Sequence, residues 1–153
     1  MDAIQRDNTN DEVEDEFGGR LFVSFTLTGR DLIPSDVTTI LEIQSSYSFK
    51  RGDIKINSNG EKQVRKHSCW DLNSDNKGFP SDDPGPHFEW LLSKLEPVQA
   101  KLNDLLVNKN IKARIQCFWI TPDGRINIEV EPAIIMRLAK LNLKIWFDIF
   151  CNH

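Results

Sequence analysis

The chain has 153 residues, of which 39% are hydrophobic and 27% are charged, and its formal net charge is −4. That size and balance are typical of one globular domain with a hydrophobic core. No apolar run reaches the roughly eighteen residues that a membrane span needs, so the sequence excludes a transmembrane helix. The first residues, MDAIQRDNTNDEVEDE, contain no apolar signal-peptide core. We therefore expect a cytoplasmic protein that has no secretion signal.

The negative charge is concentrated at the N-terminus. Residues 1–16 carry seven acidic side chains and one basic side chain, whereas residues 17–153 carry 18 basic and 16 acidic ones. A segment with so much charge and so few apolar residues cannot form a packed core. We predict a disordered acidic tail over residues 1–16 and a single α+β domain over residues 17–153. The tail would act as a solubilising leader or as an arm that meets a basic partner.

In the first half of the domain, apolar residues at every second position from residue 21 to 28 predict a strand with one buried face. Pro34 then begins a helix. Residues 46–50 indicate a short strand, residues 51–63 a polar loop or a loose hairpin turn, and residues 64–72 a further strand.

A long irregular connection is predicted over residues 73–86, which are rich in Gly, Pro, Ser, Asn and Asp. From Pro86 the apolar residues fall on one helical stripe. Pro97 interrupts that stripe, so we expect either a kink or the start of a second helix.

In the last third, residues 111–119 and 126–130 are predicted to form a hairpin around the turn at residues 121–124. Pro132 begins the last helix, and residues 143–151 form the last strand. The predicted order is therefore β-α-β-β-α-β-β-α-β, and its first six elements match a ferredoxin-like split β-α-β pattern. We expect a mixed or antiparallel sheet with the helices packed on one face.

The three cysteines, Cys69, Cys117 and Cys151, form no CxxC pair, and two of them occupy apolar strand positions. Reduced, structural thiols are the expectation. His67 with Cys69 and Cys151 with His153 each offer two metal-type ligands, and neighbouring strands could bring the two pairs together. No CxxC or HxxxH pattern supports that set, so we predict neither a metal nor another cofactor.

No catalytic motif is recognisable in the sequence, which lacks a GxSxG elbow, a P-loop and a dinucleotide-binding fingerprint. We therefore expect a protein that is not an enzyme. Basic residues cluster between positions 50 and 66, either as a phosphate-facing patch or as a solvated loop and edge strand. The near-neutral body and the lack of interleaved aromatic residues disfavour nucleic acid as the partner.

Several segments resemble the bacterial family known as domain of unknown function 4279. They are FTLTGRDLIPSDVTTILEI, FKRGD, HSCWDLNS, HFEWLLSKLEPVQAKL and LAKLNLKIWFDIFC, in that order, from about Gly19 to Cys151. The chain departs from the expected pattern at Ile33, where an acidic residue before Pro34 would cap the helix. The resemblance implies a cytosolic bacterial setting and no established chemistry. Members of such families often occur beside toxins, which implies an immunity or inhibitor role.

The expected function is that of a non-enzymatic protein-binding domain, an immunity or inhibitor protein that neutralises a bacterial toxin domain. The alternative is a regulatory domain that binds a small ligand or peptide in a groove under residues 73–86. The predicted partner-binding residues are Arg51, Asp53, Trp70, Asp71 and Trp90. In a competing interpretation, both tryptophans pack a helix on the sheet and Arg51 pairs locally with Asp53.

Overall fold

The computed structural model of the protein describes residues 19–122 and 124–151. The predicted tail over residues 1–16 lies outside the described residues, as does His153. The elements in chain order are β1 (Arg20–Gly29), α1 (Pro34–Leu41), β2 (Tyr47–Phe49), β3 (Ile54–Ile56), β4 (Lys62–Val64), β5 (Ser68–Asn73), α2 (Pro84–Leu95), a short 3-10 helix (Glu96–Val98), α3 (Gln99–Leu106), β6 (Lys112–Thr121), α4 (Pro132–Lys140) and β7 (Lys144–Cys151).

Five strands form one mixed sheet in the spatial order β2-β5-β1-β6-β7, while β3 and β4 form a separate two-stranded hairpin. Neighbouring strands of the large sheet are antiparallel, except that β6 and β7 are parallel. The predicted α+β class and the mixed sheet are confirmed. The long central strand β1 pairs along almost its whole length with β6, from Arg20 opposite Ile120 to Thr28 opposite Lys112.

The hydrophobic core lies on one face of this sheet, because alternate side chains of a strand point to opposite faces. Leu21, Val23, Phe25 and Leu27 of β1 all lie in the core and are almost inaccessible to solvent. The four helices add their own buried residues to this same cluster. The helical contributions are Val37, Leu41, Phe88, Leu91, Leu92, Leu95, Leu102, Ile134 and Leu138. The described helices therefore all pack on one face of the sheet.

Prolines mark the starts of three helices, at Pro34, Pro84 and Pro132. A proline is tolerated there because the first amides of a helix have no partner within the helix. Asp83 caps α2 by accepting a hydrogen bond from Gly85 N, whereas Ile33 provides no side-chain cap for α1. No helix in the described part of the chain is long and apolar enough to span a membrane.

Pro97 divides the long helical stripe as the sequence predicts. It lies in the 3-10 helix, after which α3 begins at Gln99. Proline lacks an amide proton and its ring crowds the preceding turn, so the regular α-helix ends before it. The helix starts slightly earlier than predicted, at Pro84 rather than Pro86.

One predicted strand, at residues 126–130, is wrong, since this segment pairs with no strand in the structure. Its alternating residues Ile126, Ile128 and Val130 instead pack as partly buried side chains at the margin of the core. The position beside β6 is taken by β7, which arrives through the crossover helix α4 and is therefore parallel to β6. Burial on one side produces period-2 alternation whether or not the backbone finds a strand partner.

The predicted strand over residues 64–72 is divided in two. Its first residue ends β4, which forms the small hairpin with β3, and β5 begins only at Ser68. Apart from Val64, the hairpin lies within residues 51–63, which the sequence left open as a loop or a loose turn. All its strand residues are exposed, so this segment adds little to the core.

Candidate functional site

The face of the sheet turned away from the helices, called here the open face, has no described helix packed against it. Register and alternation determine which strand residues point to this side. They include aromatic, basic and polar side chains from all five strands. The main ones are Arg20, Phe22, Thr26, Tyr47, Phe49, Asp71, Asn73, Lys112, Arg114, Gln116, Phe118, Lys144, Trp146, Asp148 and Phe150.

A row of aromatic rings crosses the open face from β1 to β7. Phe22 and Phe118 lie opposite each other on β1 and β6 and stack with their ring centroids 4.9 Å apart. Phe150 continues the row at 5.5 Å from Phe118, and the Arg20 guanidinium lies 5.3 Å from the centroid of Phe22. Phe150 remains half exposed. The row therefore presents apolar surface to solvent on the side of the molecule that the helices leave open.

A second aromatic cluster lies at the other end of the sheet, on β2. Tyr47 and Phe49 meet edge to face with their centroids 5.7 Å apart. The Arg65 guanidinium lies 3.8 Å from the centroid of Phe49 and donates a hydrogen bond to the Tyr47 hydroxyl at 2.9 Å. A guanidinium over an aromatic face is held by the ring quadrupole as well as by the hydrogen bond. The arrangement positions a basic side chain beside exposed aromatic surface.

Asp71 of β5 is the acidic group nearest the middle of the open face. Its two carboxylate oxygens accept hydrogen bonds from Thr26 Oγ1 at 2.8 Å and from Asn73 Nδ2 at 2.7 Å. Burial raises the pKa of the Asp71 carboxyl, and these bonds and the charge of Arg114 act in the opposite direction. The carboxylate is thus held in place by its neighbours.

The charge on the open face is predominantly basic. The basic side chains that reach it are Arg20, Arg65, Lys112, Arg114 and Lys144. The acidic ones are Asp71, Asp148 and Asp75, and the Asp75 carboxylate forms an ion pair with Arg20. One of the acidic groups, Asp148, accepts a hydrogen bond from Gln116 Nε2 at 3.1 Å. A surface of this kind attracts an acidic partner.

The model of the family described as domain of unknown function (DUF4279) matches residues 19–152, which is most of the chain. The chain belongs to the DUF4279 family. The resemblance that the sequence segments indicated is thereby confirmed. That description assigns no catalytic activity to the family, so the match assigns none to this chain. No curated protein and no solved structure matches the chain.

In this DUF4279 domain, Trp70 does not fit the predicted role as an interface anchor. Its side chain is fully buried in the core, in edge-to-face contact with Phe25, and its Nε1 donates to Thr38 Oγ1 at 3.0 Å. It points to the helix side because β5 places Trp70 opposite Leu27 of β1. Trp70 therefore packs a helix on the sheet, which is the competing interpretation of its sequence pattern.

Arg51 and Asp53 lie in the turn between β2 and β3. Lys50 N donates to Asp53 Oδ2 at 2.8 Å, so this carboxylate stabilises its own turn. Arg51 pairs with Asp31 at 3.6 Å rather than with Asp53. The predicted local pairing of Arg51 with Asp53 is therefore wrong. Both residues are exposed, as a partner-binding role requires.

Trp90 lies on the helix side of the sheet, where it lines a cleft of about 640 Å³ together with Leu72, Lys77 and Lys94. The Lys77 ammonium lies 5.2 Å from the centroid of the indole. The cleft is wide and largely polar, and the loop that follows β5 forms one of its walls. The five predicted partner-binding residues are therefore divided among the core, the turn, the open face and this cleft.

A serine and a histidine meet inside the DUF4279 domain. Ser74 Oγ lies 2.6 Å from His87 Nδ1, and both side chains are about 1% exposed. A nucleophile must reach its substrate, and this hydroxyl is enclosed by the core. The contact stabilises the fold, and it provides no accessible nucleophile.

The metal-type residues of the sequence do not come together. Cys69 lies in β5 on the open face, whereas Cys151 ends β7 on the helix side, with β1 and β6 between them. Among residues 19–122 and 124–151, no three His, Cys, Asp or Glu side chains are grouped to hold a metal ion. His153 lies outside the described residues, and the expectation of a metal-free protein stays a prediction.

Sequence reasoning missed the aromatic residues of the open face. Phe22, Phe118 and Tyr47 received no role, and Arg65 was counted only as part of a basic cluster. One signal was present, since Phe22 is a large apolar residue on the otherwise polar side of an alternating strand. Two neighbouring strands that each carry such a residue indicate a second apolar surface, but only their pairing shows that the residues meet.

Proposed function

We propose that this chain is a non-enzymatic protein-binding domain that engages its partner through the open face of the sheet. We further propose that it is an immunity or inhibitor protein, which neutralises a bacterial toxin domain in the cytoplasm. The observation that carries the proposal is a sheet face with accessible aromatic rings and an excess of basic side chains. An inhibitor of this kind needs only a complementary surface that blocks the toxin, and no chemistry of its own.

Aromatic and arginine side chains support the choice of a protein partner, because they dominate the binding energy of protein interfaces. Tyr47, Trp146 and Phe150 are each about half exposed, and Arg65 lies beside the first of them. The predominance of basic groups favours an acidic patch on the partner, which would also speed its capture. Asp71 is the predicted partner-binding residue that belongs to this surface.

The bacterial and cytoplasmic setting is part of the same proposal. The cytoplasmic part is supported by two buried cysteines that are not in disulfides. Reduced thiols are the norm in the cytosol. The proposed inhibitor acts there on its target without attachment to a membrane.

The test begins with capture of proteins by the immobilised full chain from an extract of its host. The affinity of each captured protein is then compared for the wild type, Arg65→Glu and Lys109→Glu. Lys109 lies in the exposed turn after α3 and provides a charge-matched control. We expect Arg65→Glu to weaken binding about 30-fold or more and the control to have little effect. Equal effects of the two variants would contradict binding through the open face.

The immunity role has its own readout. If the captured protein arrests growth when expressed alone, co-expression of the wild-type chain should restore growth and Arg65→Glu should not. A captured protein that never impairs growth would contradict the immunity role while leaving the binding function intact.

A second candidate function is the binding of a small ligand or peptide in the cleft beside Trp90. Its supporting observation is the cleft itself, which is bounded by the loop that the sequence predicted as the roof of a groove. Trp90→Ala separates the two candidates, because it should abolish binding in the cleft and leave binding at the open face unchanged. Equal loss of partner binding with Trp90→Ala and Arg65→Glu would contradict this separation.

For the fold, we propose that the first four strands of the large sheet, β1, β2, β5 and β6, follow the ferredoxin-like split β-α-β scheme. What supports this is the spatial order β2-β5-β1-β6 with antiparallel neighbours and helices joining alternate strands. In that interpretation β7 is an added fifth strand, attached by a parallel crossover.

A further inference from the structure

The two edge strands of the large sheet differ in how well they are protected from pairing with a further strand. The edge strand β2 has three residues, whereas β7 at the opposite edge has eight. In the part of the chain that the structure describes, no strand pairs with the outer edge of β7. A long unpaired edge presents a row of backbone donors and acceptors to which another strand can add.

β7 also exposes large apolar side chains on both of its faces. Trp146 and Phe150 on the open face are 56% and 50% exposed, and Ile145 and Phe147 on the helix side are 37% and 44% exposed. Proteins usually protect such an edge with charged residues, a proline or a bulge. The register of β7 with β6 has no bulge, the strand contains no proline, and its charged residues are one of each sign, Lys144 and Asp148.

We propose that a second copy of this chain covers the edge, with β7 of each copy pairing antiparallel to the other about a two-fold axis. The two five-stranded sheets then become one continuous sheet across the dimer. Such an interface is isologous, so the sequence of β7 must be complementary to its own reverse. That requirement selects the register in which the two β7 strands pair across the dimer.

The complementary register places the axis at Trp146. Lys144 of one copy then lies opposite Asp148 of the other, twice in each dimer, and these pairs lie on the open face. Ile145 lies opposite Phe147 of the other copy on the helix side. Opposite charges and apolar pairs directly across two strands are the combinations that stabilise a sheet. The stretch from residue 144 to 148, KIWFD, supplies all of these pairs.

Neighbouring registers lack this complementarity. An axis at Phe147 places Trp146 opposite Asp148 and Lys144 opposite Phe150. An axis at Asp148 places two carboxylates directly against each other, and like charges in that position are destabilising. Charge and apolar pairing thus agree on the register centred on Trp146.

The inference goes beyond the proposed function, and the two are tested at opposite ends of the sheet. Arg65 and Tyr47, beside β2, carry the test of partner binding, whereas Lys144 and Asp148 carry the test of self-association. A monomer that still binds its partner would contradict only the present inference. A dimer without a protein partner would contradict only the proposed function.

The experiment measures the mass of the full chain in solution by sedimentation over a range of concentrations. For the wild type we expect twice the mass of the 17.6 kDa chain, with dissociation on dilution. Lys144→Asp and Asp148→Lys should each weaken self-association about tenfold or more, because each replaces two attractive pairs by two repulsive ones. Lys112→Asp, a reversal on the open face of β6 away from this edge, serves as the charge-matched control and should still dimerise.

The decisive step mixes the two single variants. In a mixed dimer, the aspartates at positions 144 and 148 of one variant face lysines of the other, so the mixture should associate more strongly than either variant alone. Thermal midpoints and circular dichroism of each variant confirm that the fold is retained. A wild type that stays monomeric up to about 100 μM, in the range of weak protein contacts, would overturn the proposal. So would a dimer that is insensitive to both reversals, or a mixture that does not associate.

Discussion

Ser74 Oγ and His87 Nδ1 lie 2.6 Å apart in the interior and join the loop after β5 to the first turn of α2. His87 Nε2 lies 2.6 Å from the carbonyl oxygen of Pro80 at the other end of the loop. Because a carbonyl can only accept, Nε2 carries a proton. Burial lowers the pKa of His87 and favours the neutral ring, in which Nδ1 accepts from the serine hydroxyl. Ser74 Oγ in turn accepts from Val23 N of β1 at 3.0 Å. A neutral imidazole therefore holds the long loop against the central strand.

This pair predicts a specific pH dependence of stability. Burial lowers the pKa of His87 in the folded protein, although the bond to Pro80 and the charges of Asp83 and Asp75 partly offset the effect. The unfolded chain binds a proton at an ordinary pKa of about 6.5. Well above pH 6.5 the imidazole of His87 is neutral in both the folded and the unfolded state, so it adds no pH dependence to the free energy of unfolding. Below that pH, the unfolded state binds more protons, so the free energy of unfolding falls until the folded-state pKa is reached.

The measurement is urea unfolding between pH 7.5 and pH 5, compared for the wild type, His87→Gln and His67→Gln. We expect the wild type and His67→Gln to lose stability with the same slope, because His67 is exposed. His87→Gln should be less stable at pH 7.5 but should show a flatter dependence on pH. An unchanged slope in His87→Gln would contradict the buried neutral imidazole.

The two tryptophans of the predicted binding surface should behave differently on substitution. Trp70→Ala removes a fully buried ring and should cost about 3–5 kcal/mol of unfolding free energy. Trp90→Ala should cost much less, because its ring is only partly buried at the wall of the cleft. Thr38→Val leaves the Trp70 indole N–H without its acceptor and should cost about 1–3 kcal/mol. Chemical denaturation of the three variants checks all of these values, and equal costs for Trp70→Ala and Trp90→Ala would contradict the assignment.

Thiol reactivity should single out Cys151, the exposed cysteine. Burial raises the pKa of Cys69 to about 11 and that of Cys117 to about 12, so neither forms much thiolate at neutral pH. We expect a disulfide reagent at pH 7.5 to modify one thiol rapidly in the native protein and three in denaturant. Cys151→Ser should remove the rapid phase. Rapid modification of Cys69 or Cys117 in the native protein would show that the sheet opens there.

The turn between β2 and β3 depends on Gly52, whose φ is +93°. Side chains disfavour that conformation, so Gly52→Ala should cost about 1 kcal/mol of unfolding free energy even though no atom lies within 4 Å of the added Cβ. The neighbouring variant Arg51→Ala is the control. It loses only an exposed ion pair with Asp31 and should change stability by less than about 0.5 kcal/mol. A larger loss for Arg51→Ala than for Gly52→Ala would contradict this description of the turn.

Local sequence patterns determined most of the secondary structure. Alternation identified β1, and the prolines at positions 34, 97 and 132 marked where helices begin or break. These signals work because they act within one or two turns of the chain, through ring geometry and missing amide protons. The sequence segments also indicated the family, which the match over residues 19–152 confirms.

The tertiary structure decided everything that depends on which strand lies beside which. Residues 126–130 alternate like a strand, but β7 occupies the place beside β6, so they pack without a ladder. Trp70 and Asp71 are adjacent in β5 and therefore point to opposite faces, but only the pairing of β5 with β1 decides that Trp70 enters the core and Asp71 reaches the open face. Phe22 and Phe118 stack although they are far apart along the chain. Such contacts come from long-range pairing, which depends on the burial of the whole sheet, and the local pattern of one strand does not show which strand lies beside it.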